Sequence, residues 1–591
     1  MMTHILSEIT IRNFKSIRNV TFELTAFTPL VGYNNAGKSN LLEAIKWLLR
    51  RTALADSSFY DPAQPVEIEG VISGITAAIL DQLPENQQSA IQPFLDGETL
   101  SIKRIQPQPN VAVAQIRLLV KDPANIGTAN EWRANPTGLD QAIQALFPEP
   151  IHIGAMENAE EDVSKSKNTT TIGKLLAEII GPIQTSYSTQ VQTALDGIKD
   201  LLDADGTSRA AELNAFDAAV NGKVESFFPG VNIKVHVPTP ELKEVFSKGT
   251  IKVFENLNPA GRDVSALGHG AQRSIQMALV RHLADIKRDS GEQASNTILL
   301  IDEPELYLHP QAIEVLRDAL KTLSTQGYQV IFSTHSPFMI TSKDVGNTLL
   351  IRKNDSHGTH KRNSLRAAIP TIVSTAPSQL ELIFSLSHSS NILFSERVIL
   401  AEGTTENRLL PNIIQKVTSR TIGLHKTALV SMGGSGNTRK AMLVLNTMDI
   451  PTKAIVDLDF ALKHGERDGF LAAGDSDVAA IQAHLASIAP THSITLNAGW
   501  PTNSSMSAAD AFRLLAREVT IQANLESLKA KMKTVGIYVW TKGTIEDHLG
   551  GISKNETGWA NFNARLETED LNVILPDDHL EITDLVTWLI S

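Results

Sequence analysis

Short apolar runs alternate with polar residues at the start of the chain. Within residues 7–24 apolar residues recur at every second position of two stretches, which predicts a pair of strands with one buried face. A third apolar run, Phe27–Val31, leads into a glycine-containing loop, and Lys38–Arg50 then carries its leucines and isoleucine on one helical stripe. The predicted order is strand, loop, helix.

The pattern changes twice further along the chain. Residues 157–171 are polar, and helical periodicity follows over Ile172–Leu202 and Ser208–Phe228, which predicts an inserted helical module. Strand-like residues return at Val231–Val237, and a new strand–helix–strand pattern begins at Arg397.

The length of the chain sets its number of domains. A prior of about 150 residues per domain predicts three or four folded units for 591 residues. We therefore predict an α/β protein in four parts, which are residues 1–156 and 231–390 as two halves of one domain, 157–230 as a helical insertion, and 391–591 as a second α/β domain.

Composition narrows the class of protein. Hydrophobic residues make up 42% and charged residues 20%, which is typical of globular proteins. No stretch approaches the roughly 18 to 20 apolar residues of a membrane span, and the first residues show no signal-peptide pattern, so we expect a cytoplasmic protein without a membrane partner. The net charge of -12 does not indicate the partner, because local Lys and Arg clusters decide contacts with nucleic acid.

The absence of cysteine restricts the chemistry. Because the chain contains no cysteine, it has no disulfides, thiolate zinc sites or thiol nucleophiles. Any metal must be held by carboxylates, imidazoles, carbonyls or water, which favours a hard divalent cation.

Residues 32–39, GYNNAGKS, fit the P-loop pattern between an apolar strand and an amphipathic helix. Loop N–H groups and the helix N-terminus offer positive potential to phosphates, Lys38 can reach the β and γ oxygens, and the Ser39 hydroxyl can ligate Mg²⁺. The candidate ATP-binding residues are Gly32, Asn34, Asn35, Gly37, Lys38, Ser39 and Asn40.

A second nucleotide-site element is the apolar run Ile298–Ile301, typical of a strand buried on both faces. It delivers Asp302 and Glu303 at its carboxyl end. Asp302 is predicted to hold Mg²⁺, and Glu303 to orient or deprotonate the water that attacks the γ-phosphate.

Two further elements complete the set. A strand over Gln329–Ser333 ends before His335, whose ring can hydrogen-bond the γ-phosphate. A glycine-rich turn opens the helix Ile275–Ile286 and offers another anion site at a helix N-terminus. The candidate residues of that turn are Gly268, Gly270 and Gln272.

These motifs, in this order, resemble the ABC ATPases of the recombination and chromosome-maintenance group. The resemblance implies that two heads sandwich ATP, so that the glycine-rich turn of one subunit completes the site of the other and the protein is a homodimer or a higher oligomer. The turn here, LGHGAQ, departs from the usual LSGGQ. The group also inserts helices between its half-motifs, as the separation of Ser39 from Asp302 requires.

The last third of the chain carries a different set of acids. Strand Arg397–Ala401 is followed by Glu402 and Glu406, and a later strand ends at Asp457 and Asp459. Residues two apart on an extended strand point the same way, so the two aspartates are expected to converge. Four carboxylates at adjacent strand ends would repel one another unless Mg²⁺ or Mn²⁺ neutralised them.

The E-G-x-x-E and D-x-D pair resembles the TOPRIM domain, a Rossmann-like fold. Behind an ABC head it resembles the OLD (overcoming lysogenisation defect) family of prokaryotic and phage nucleases, which implies a DNA nuclease in phage defence or interference, with an accessory defence component as a further partner. Metal ligands implied by the resemblance are Glu402, Glu406, Asp457, Asp459 and Glu546, and the implied catalytic residues include Lys542 beside Glu402, Asp457 and Asp459.

Three other functions stay open to different degrees. A DNA-organising or repair ATPase with a non-cleaving TOPRIM module is the main alternative. A topoisomerase would need a nucleophilic tyrosine in a separate cleavage domain, whereas the six tyrosines here are scattered. A primase would need a zinc-binding module, which the absence of cysteine makes unlikely. The basic residues of 352–366 are interpreted as a charged surface loop rather than a nucleic-acid site.

Overall fold

The computed structural model describes residues 4–147, 150–154, 171–241, 251–255, 258–290, 297–364 and 389–591. The chain divides into two compact units. The first unit comprises Met1–Leu30, Gly37–Met339 and Asp355–Thr359, and the second comprises Val31–Ala36, Ile340–Asn354 and His360–Ser591.

The elements up to residue 361 mix strands and helices. The strands are β1 (Ile5–Phe14), β2 (Ile17–Glu23), β3 (Phe27–Val31), β4 (Val66–Ser73), β5 (Thr99–Gln106), β6 (Arg117–Lys121), β7 (Trp132–Ala134), β8 (Ile151–Ile153), β9 (Lys252–Glu255), β10 (Asn258–Asp263), β11 (Thr297–Ile301), β12 (Tyr328–Thr334), β13 (Leu349–Asn354) and β14 (Gly358–Lys361). The helices are α1 (Lys38–Leu49), α2 (Ala77–Leu80), α3 (Glu85–Ile91), α4 (Leu139–Leu146), α5 (Thr171–Leu202), α6 (Ala211–Val224), α7 (His269–Ser290) and α8 (Pro310–Thr325).

The first unit contains an antiparallel and a parallel run of strands. The antiparallel run has the order β7-β6-β5-β4-β1-β2, and the predicted opening pair is confirmed with Ile9 opposite Phe22. The other run has the order β3-β12-β11-β8, in which β11 pairs parallel with both neighbours. Every residue of β11 and β12 is buried, as expected for strands covered on both faces.

Helix α1 packs its apolar stripe against the sheet at a glycine. Leu48 of α1 and Leu6 of β1 are fully buried. A Cβ atom on Gly70 of β4 would lie 2.5 Å from Leu48 Cδ2 and 2.9 Å from Leu6 Cδ1. The missing side chain therefore sets how closely α1 approaches the sheet.

The predicted strand Val231–Val237 is wrong, since no strand is assigned there. Side chains of α6 replace a strand partner, because Asn221 exchanges hydrogen bonds with both backbone groups of Ile233 and Asp217 accepts from Val235 N–H. The two predicted helices are confirmed as α5 and α6 with shifted ends. Residues 155–170 lie outside the described residues, and the four-part domain division stays a prediction.

The second unit continues with a parallel sheet and many helices. The remaining strands are β15 (Arg397–Ala401), β16 (Thr427–Ser431), β17 (Thr452–Asp457), β18 (Leu496–Asn497), β19 (Trp500–Pro501) and β20 (Ile537–Trp540). The remaining helices are α9 (Thr404–Thr418), α10 (Thr438–Thr447), α11 (Leu458–His464), α12 (Ser476–Ile488), α13 (Ala508–Ala516), α14 (Gln522–Thr534), α15 (Ile545–His548), α16 (Glu556–Thr568), α17 (Leu571–Ile574) and α18 (His579–Ile590).

The four strands β16-β15-β17-β20 are all parallel and have a core on each face. Val398 and Leu400 of β15 point into one core, whereas Ile399 between them points into the other. Because the chain passes from β15 to β16 on one side and later to β17 on the other, the carboxyl ends of β15 and β17 form a topological switch point. Such points are the usual ligand sites of open parallel sheets.

Gly70→Ala should destabilise the first unit by about 1–3 kcal/mol, because the added methyl group overpacks the contact between α1 and the sheet. The measurement is the midpoint of urea-induced unfolding. Gly197→Ala is the matched control, since a Cβ there meets no atom within 4 Å, and a helical alanine should stabilise by about 0.5–1 kcal/mol. Equal midpoints for both variants would contradict the packing argument.

Candidate active sites

The P-loop turn has the backbone that phosphate binding requires. Gly37 precedes α1 with φ 102, and Asn35 has φ 64. A Cβ atom on Gly37 would lie 2.3 Å from Thr359 Oγ1, so only glycine fits. Asn34 and Asn35 are exposed, whereas Asn40 donates from Nδ2 to Ser16 Oγ at 2.7 Å. Gly32 is also restricted, because a Cβ there would lie 2.4 Å from the Ile351 carbonyl oxygen.

Five predicted residues of the nucleotide site lie together in the first unit. Ser39 Oγ donates to Asp302 Oδ2 at 2.5 Å. Lys38 Nζ lies 2.8 Å from His335 Nε2, and that nitrogen lies 3.1 Å from Glu303 Oε1. The three motifs, separated by more than 290 residues between Lys38 and His335, thus form one cluster.

His335 Nε2 has two competing partners in this cluster. Lysine only donates and a carboxylate only accepts, so one ring nitrogen can use its lone pair toward Lys38 or its proton toward Glu303. The hydrogen bond from His335 holds the pKa of Glu303 below its usual range. Glu303 is therefore an ionised carboxylate at neutral pH, which suits a residue that orients or deprotonates water.

The glycine-rich turn lies at the start of α7. Gln272 is buried and donates from Nε2 to the Leu267 carbonyl at 2.8 Å, so this side chain braces its own turn. A Cβ on Gly268 would meet no atom within 4 Å, and one on Gly270 would approach only Tyr307 Cβ. The backbone at both glycines is accordingly open on the side where a side chain would project.

The carboxylates of the second unit lie at the switch point of its sheet. Glu402 follows β15 and Asp457 ends β17, and these strands pair in parallel. Glu402, Asp457 and Asp459 each offer an oxygen within 4.8 Å of the others. The Asp457 N–H also donates to Glu402 Oε2 at 3.0 Å, which fixes the Glu402 carboxylate against the neighbouring strand.

The two aspartates converge for a different reason than expected. β17 ends at Asp457, and Asp459 lies in the first turn of α11 rather than on an extended strand. The expectation of two residues on one face of a strand is therefore wrong. The change from strand to helix immediately after Asp457 brings Asp459 back toward the same oxygens.

Glu406 and Glu546 lie beside these three carboxylates and are more deeply buried. Glu406 is 3% exposed and Glu546 is 5% exposed. Glu546 Oε1 accepts from Thr405 Oγ1 at 2.5 Å, and α15 presents it after β20. All five acids predicted as metal ligands in this unit are thus close neighbours in the fold.

Burial and like charge perturb this cluster strongly. Burial, followed by the charges of Glu402, Glu406 and Asp459, raises the pKa of Asp457 to about 9. Burial, with the charges of Glu546 and Glu402, raises the pKa of Glu406 to about 7. The protein supplies too little positive charge here, and the donors are all oxygen, so the cluster fits a hard divalent cation.

Two lysines compete for the role predicted for Lys542. Lys542 Nζ donates to Asp578 Oδ1 at 2.5 Å, away from the five acids. Lys554 Nζ instead lies 3.7 Å from Glu546 Oε1. Its positive charge partly opposes the rise in the pKa values of Glu406 and Asp457. Lys554 lies in the segment that follows α15, and no local pattern in the sequence distinguishes it from a surface lysine.

A second cluster, His548, Asp578 and Glu581, has ligand atoms within 4.8 Å of one another but does not suit a metal. His548 Nε2 accepts from the Lys542 backbone N–H at 3.0 Å, so the ring proton lies on Nδ1, which faces Glu581 Oε2 at 3.2 Å. Since no ring lone pair faces the carboxylates, this cluster is a buried ion network that fixes the turn before α15.

The described basic residues of 352–364 do not form a solvated loop throughout, and Arg366 lies outside the described residues. Arg352 is 4% exposed and donates to the carbonyls of Leu393 and Ser395, and Arg362 pairs with Glu396. These arginines are structural. Arg439 and Lys440, next to the glycine turn after β16, are exposed instead.

Comparisons with known proteins agree with this construction. Residues 5–106 and 113–340 match the family model "AAA ATPase domain", and residues 393–459 match "Overcoming lysogenization defect protein-like, TOPRIM domain". The chain is 40% identical to the "Old nuclease" of Escherichia phage P2, covering 100% of both chains. It is 22% identical to the "OLD nuclease" of Thermus scotoductus over 77% of this chain and 82% of that one.

An ATPase head and a TOPRIM domain in one chain define an ATP-dependent nuclease that uses a divalent metal. The chain belongs to the OLD nuclease family, as the full-length relationship to the phage P2 protein shows. The predicted family and fold class are confirmed.

Two further proteins are similar to this chain at lower identity. The "Endonuclease GajA" of Bacillus cereus is 24% identical over 78% of this chain and 76% of its own. Among solved structures, an Smc head bound to the C-winged helix domain of ScpA matches with TM-score 0.36 and 16% identity, covering 61% of this chain and 98% of that one. In the described part of the chain, no helix is long and apolar enough to cross a membrane.

Asp457→Asn should remove a pH dependence of stability from the metal-free protein. The folded pKa of Asp457 is raised from 3.8 to about 9, so between these values the folded state binds the proton and the unfolded state releases it. Wild-type stability should therefore fall as pH rises from 5 to 8, by up to about 1.4 kcal/mol per pH unit for this one proton.

The measurement is denaturant unfolding with a chelator at several pH values. Asp577→Asn, at an exposed position of the same unit, is the control and should keep the wild-type slope. A parallel pH profile for Asp457→Asn and wild type would show that the carboxyl is not held protonated.

Proposed function

We propose that this protein is a divalent-metal-dependent DNA nuclease whose hydrolytic centre is formed by Glu402, Glu406, Asp457, Asp459 and Glu546. The observation that carries the proposal is the approach of three of these carboxylates, within 4.8 Å of one another, at the switch point of a parallel sheet. Uncompensated acids there are destabilising, and function is the reason to keep them.

The roles divide by exposure. Glu402, Asp457 and Asp459 are partly exposed and would hold Mg²⁺ or Mn²⁺, while the deeper Glu406 and Glu546 would complete and orient that ligand set. Bound ions of this kind supply an activated water and stabilise the leaving oxygen in phosphodiester hydrolysis.

Lys554 is our candidate for the catalytic lysine. Its ammonium group lies beside Glu546 and its side chain is 63% exposed, so the ammonium group can turn toward a phosphate that approaches from solvent. Lys542, the earlier candidate, is held by Asp578. A fixed cation near the scissile phosphate stabilises the charge that develops in the transition state.

The head would bind ATP and control the nuclease. Lys38 and Ser39 would contact the phosphates and Mg²⁺, Asp302 would share that ion, and Glu303 and His335 would act on the attacking water and the γ-phosphate. The supporting observation is that these side chains already contact one another in the first unit. Gly268, Gly270 and Gln272 would serve the nucleotide of a partner subunit.

Assembly as a homodimer is the arrangement in which that turn has a use. Phe227 and Phe228, at the end of the helical part, are 78% and 66% exposed, and large exposed apolar side chains favour association. We propose dimerisation through the heads and the helical insertion 157–230, with the domain division 1–156, 231–390 and 391–591 for the rest, in the cytoplasm.

Asp459→Asn should abolish plasmid cleavage in Mg²⁺ or Mn²⁺, because loss of even an outer partner of a metal ligand costs about 10- to 100-fold. Cleavage is measured on gels with each metal, with and without ATP. Asp577→Asn should cut like wild type. Cleavage by Asp459→Asn at the wild-type rate would reject the assigned centre.

Lys554→Met and Lys542→Met separate the two lysine assignments. If Lys554 contacts the scissile phosphate, its loss should slow cleavage by about 100- to 1000-fold, as for other charge-stabilising donors. Lys542→Met should mainly lower stability, since it removes the ion pair between Lys542 and Asp578. Initial cleavage rates and unfolding midpoints of both variants decide between them, and the reverse order would restore Lys542 to the catalytic role.

We also propose a role in phage defence or phage interference, in which the protein would cut the DNA of a competing phage. Cells that express the wild-type protein should plate competing phages less efficiently than cells that express Asp459→Asn or Lys38→Ala. Both variants remove one of the two activities, so each should restore plating. Equal plating with wild type and with both variants would exclude defence against the phages tested.

A further inference from the structure

Arg273 occupies a position that neither phosphate binding nor metal binding explains. It lies in the first turns of α7, five residues after Gly268, and is 1% exposed. Burial lowers its pKa from 12.5 to about 10, which leaves the guanidinium charged at neutral pH. A charge so deeply buried is costly unless its hydrogen bonds are specific.

The guanidinium of Arg273 is hydrogen-bonded to the turn that carries Glu303. Its Nη2 donates to two consecutive carbonyls, that of Asp302 at 2.8 Å and that of Glu303 at 2.7 Å. Its Nη1 donates to Gln276 Oε1 at 2.8 Å, on the same helix. Arginine is suited to this bridge because its planar fork holds several donors in fixed directions.

Glu303, whose carbonyl accepts from Arg273, has an unusual backbone conformation. Glu303 has φ 47, a left-handed conformation that a non-glycine residue adopts only when its surroundings impose it. Ser333 Oγ accepts the Glu303 N–H at 3.0 Å, while Arg273 holds the carbonyl. Both peptide groups of Glu303 are therefore fixed, and with them the direction of its carboxylate.

Glu305 makes the corresponding connection to His335. Its Oε1 accepts from the N–H of His335 at 2.7 Å and from the N–H of Ser336 at 3.2 Å, and the Thr334 hydroxyl donates to it at 2.8 Å. Glu305 is 9% exposed. Of the three nearby acids, it makes the strongest electrostatic interaction that favours the charged form of Arg273. Arg273 thus links α7 to the backbone of Asp302 and Glu303, and Glu305 links the same turn to the backbone of His335.

We propose that Arg273 and Glu305 are positioning residues for ATP hydrolysis, which couple the helix after the glycine-rich turn to Glu303 and His335. A shift of α7 against β11 must move the carbonyls of Asp302 and Glu303, because one nitrogen holds both. The placement of the glycine-rich turn would in this way set the alignment of the hydrolytic groups. The inference rests on the proposed roles of Glu303 and His335.

Positioning predicts a loss of kcat without a loss of ATP binding. Arg273→Gln and Glu305→Ala should lower kcat for ATP hydrolysis by about 10- to 100-fold, as small misplacements of reacting groups do. The dissociation constant of a fluorescent ATP analogue should stay within about twofold, since neither side chain is assigned to the nucleotide. Arg281→Gln, at an exposed position of the same helix, should match wild type in both.

Conservative variants guard against a failure to fold. Glu305→Gln keeps an oxygen for the two N–H groups and should recover most of the kcat lost in Glu305→Ala. Arg273→Lys keeps the charge but lacks the second terminal nitrogen, which donates to Gln276 Oε1 in the wild type, so its kcat should lie between those of Arg273→Gln and wild type. Wild-type kcat in Arg273→Lys and Glu305→Ala, or a parallel loss of binding and kcat, would overturn the proposal.

Glu303→Gln separates this inference from the proposed function. A Glu303→Gln protein that binds ATP but does not hydrolyse it supports the catalytic role of Glu303. If that variant is inactive while Arg273→Gln and Glu305→Ala hydrolyse normally, only the coupling is refuted. If Glu303→Gln hydrolyses at the wild-type rate, the assignment of Glu303 itself is refuted.

Discussion

Repulsion between buried carboxylates is the interaction on which the C-terminal site depends. Asp457 is partly buried and lies among three other acids, so its pKa rises to about 9. Lys554, which lies beside Glu546, is largely exposed to solvent and so offsets the negative charge of these acids only partly. Folding must therefore tolerate a local cost, which the two apolar cores on the faces of the sheet offset.

The parallel sheet explains why those acids must be close. β15 and β17 are neighbours that run the same way, and most residues of both are buried, so the two strands end at one edge of the sheet. The chain diverges there toward opposite sides of β15, which leaves a crevice between the following segments. Glu402 directly follows β15 and Asp457 is the last residue of β17, and both side chains are partly exposed there.

The sequence predicts those parts whose chemistry is contained in a short stretch. The P-loop and the strand ending at Asp302 and Glu303 are local patterns, and both lie where expected. Val231–Val237 looks like a strand because its alternation is real, but α6 side chains satisfy its backbone. Lys554, Arg273 and Glu305 could not be predicted, because their partners come from elements that only the fold brings together.

The two sites share one construction and differ in how charge is balanced. In the head, Asp302 and Glu303 also follow a buried parallel strand, but Lys38, His335 and Arg273 surround them, and the pKa of Glu303 is lowered. In the C-terminal sheet the acids outnumber nearby cations, and the pKa values rise. The head can therefore keep Glu303 ionised without a ligand, whereas ionisation of Glu406 and Asp457 requires added positive charge. Metal binding at the second site should accordingly release protons and stabilise the fold.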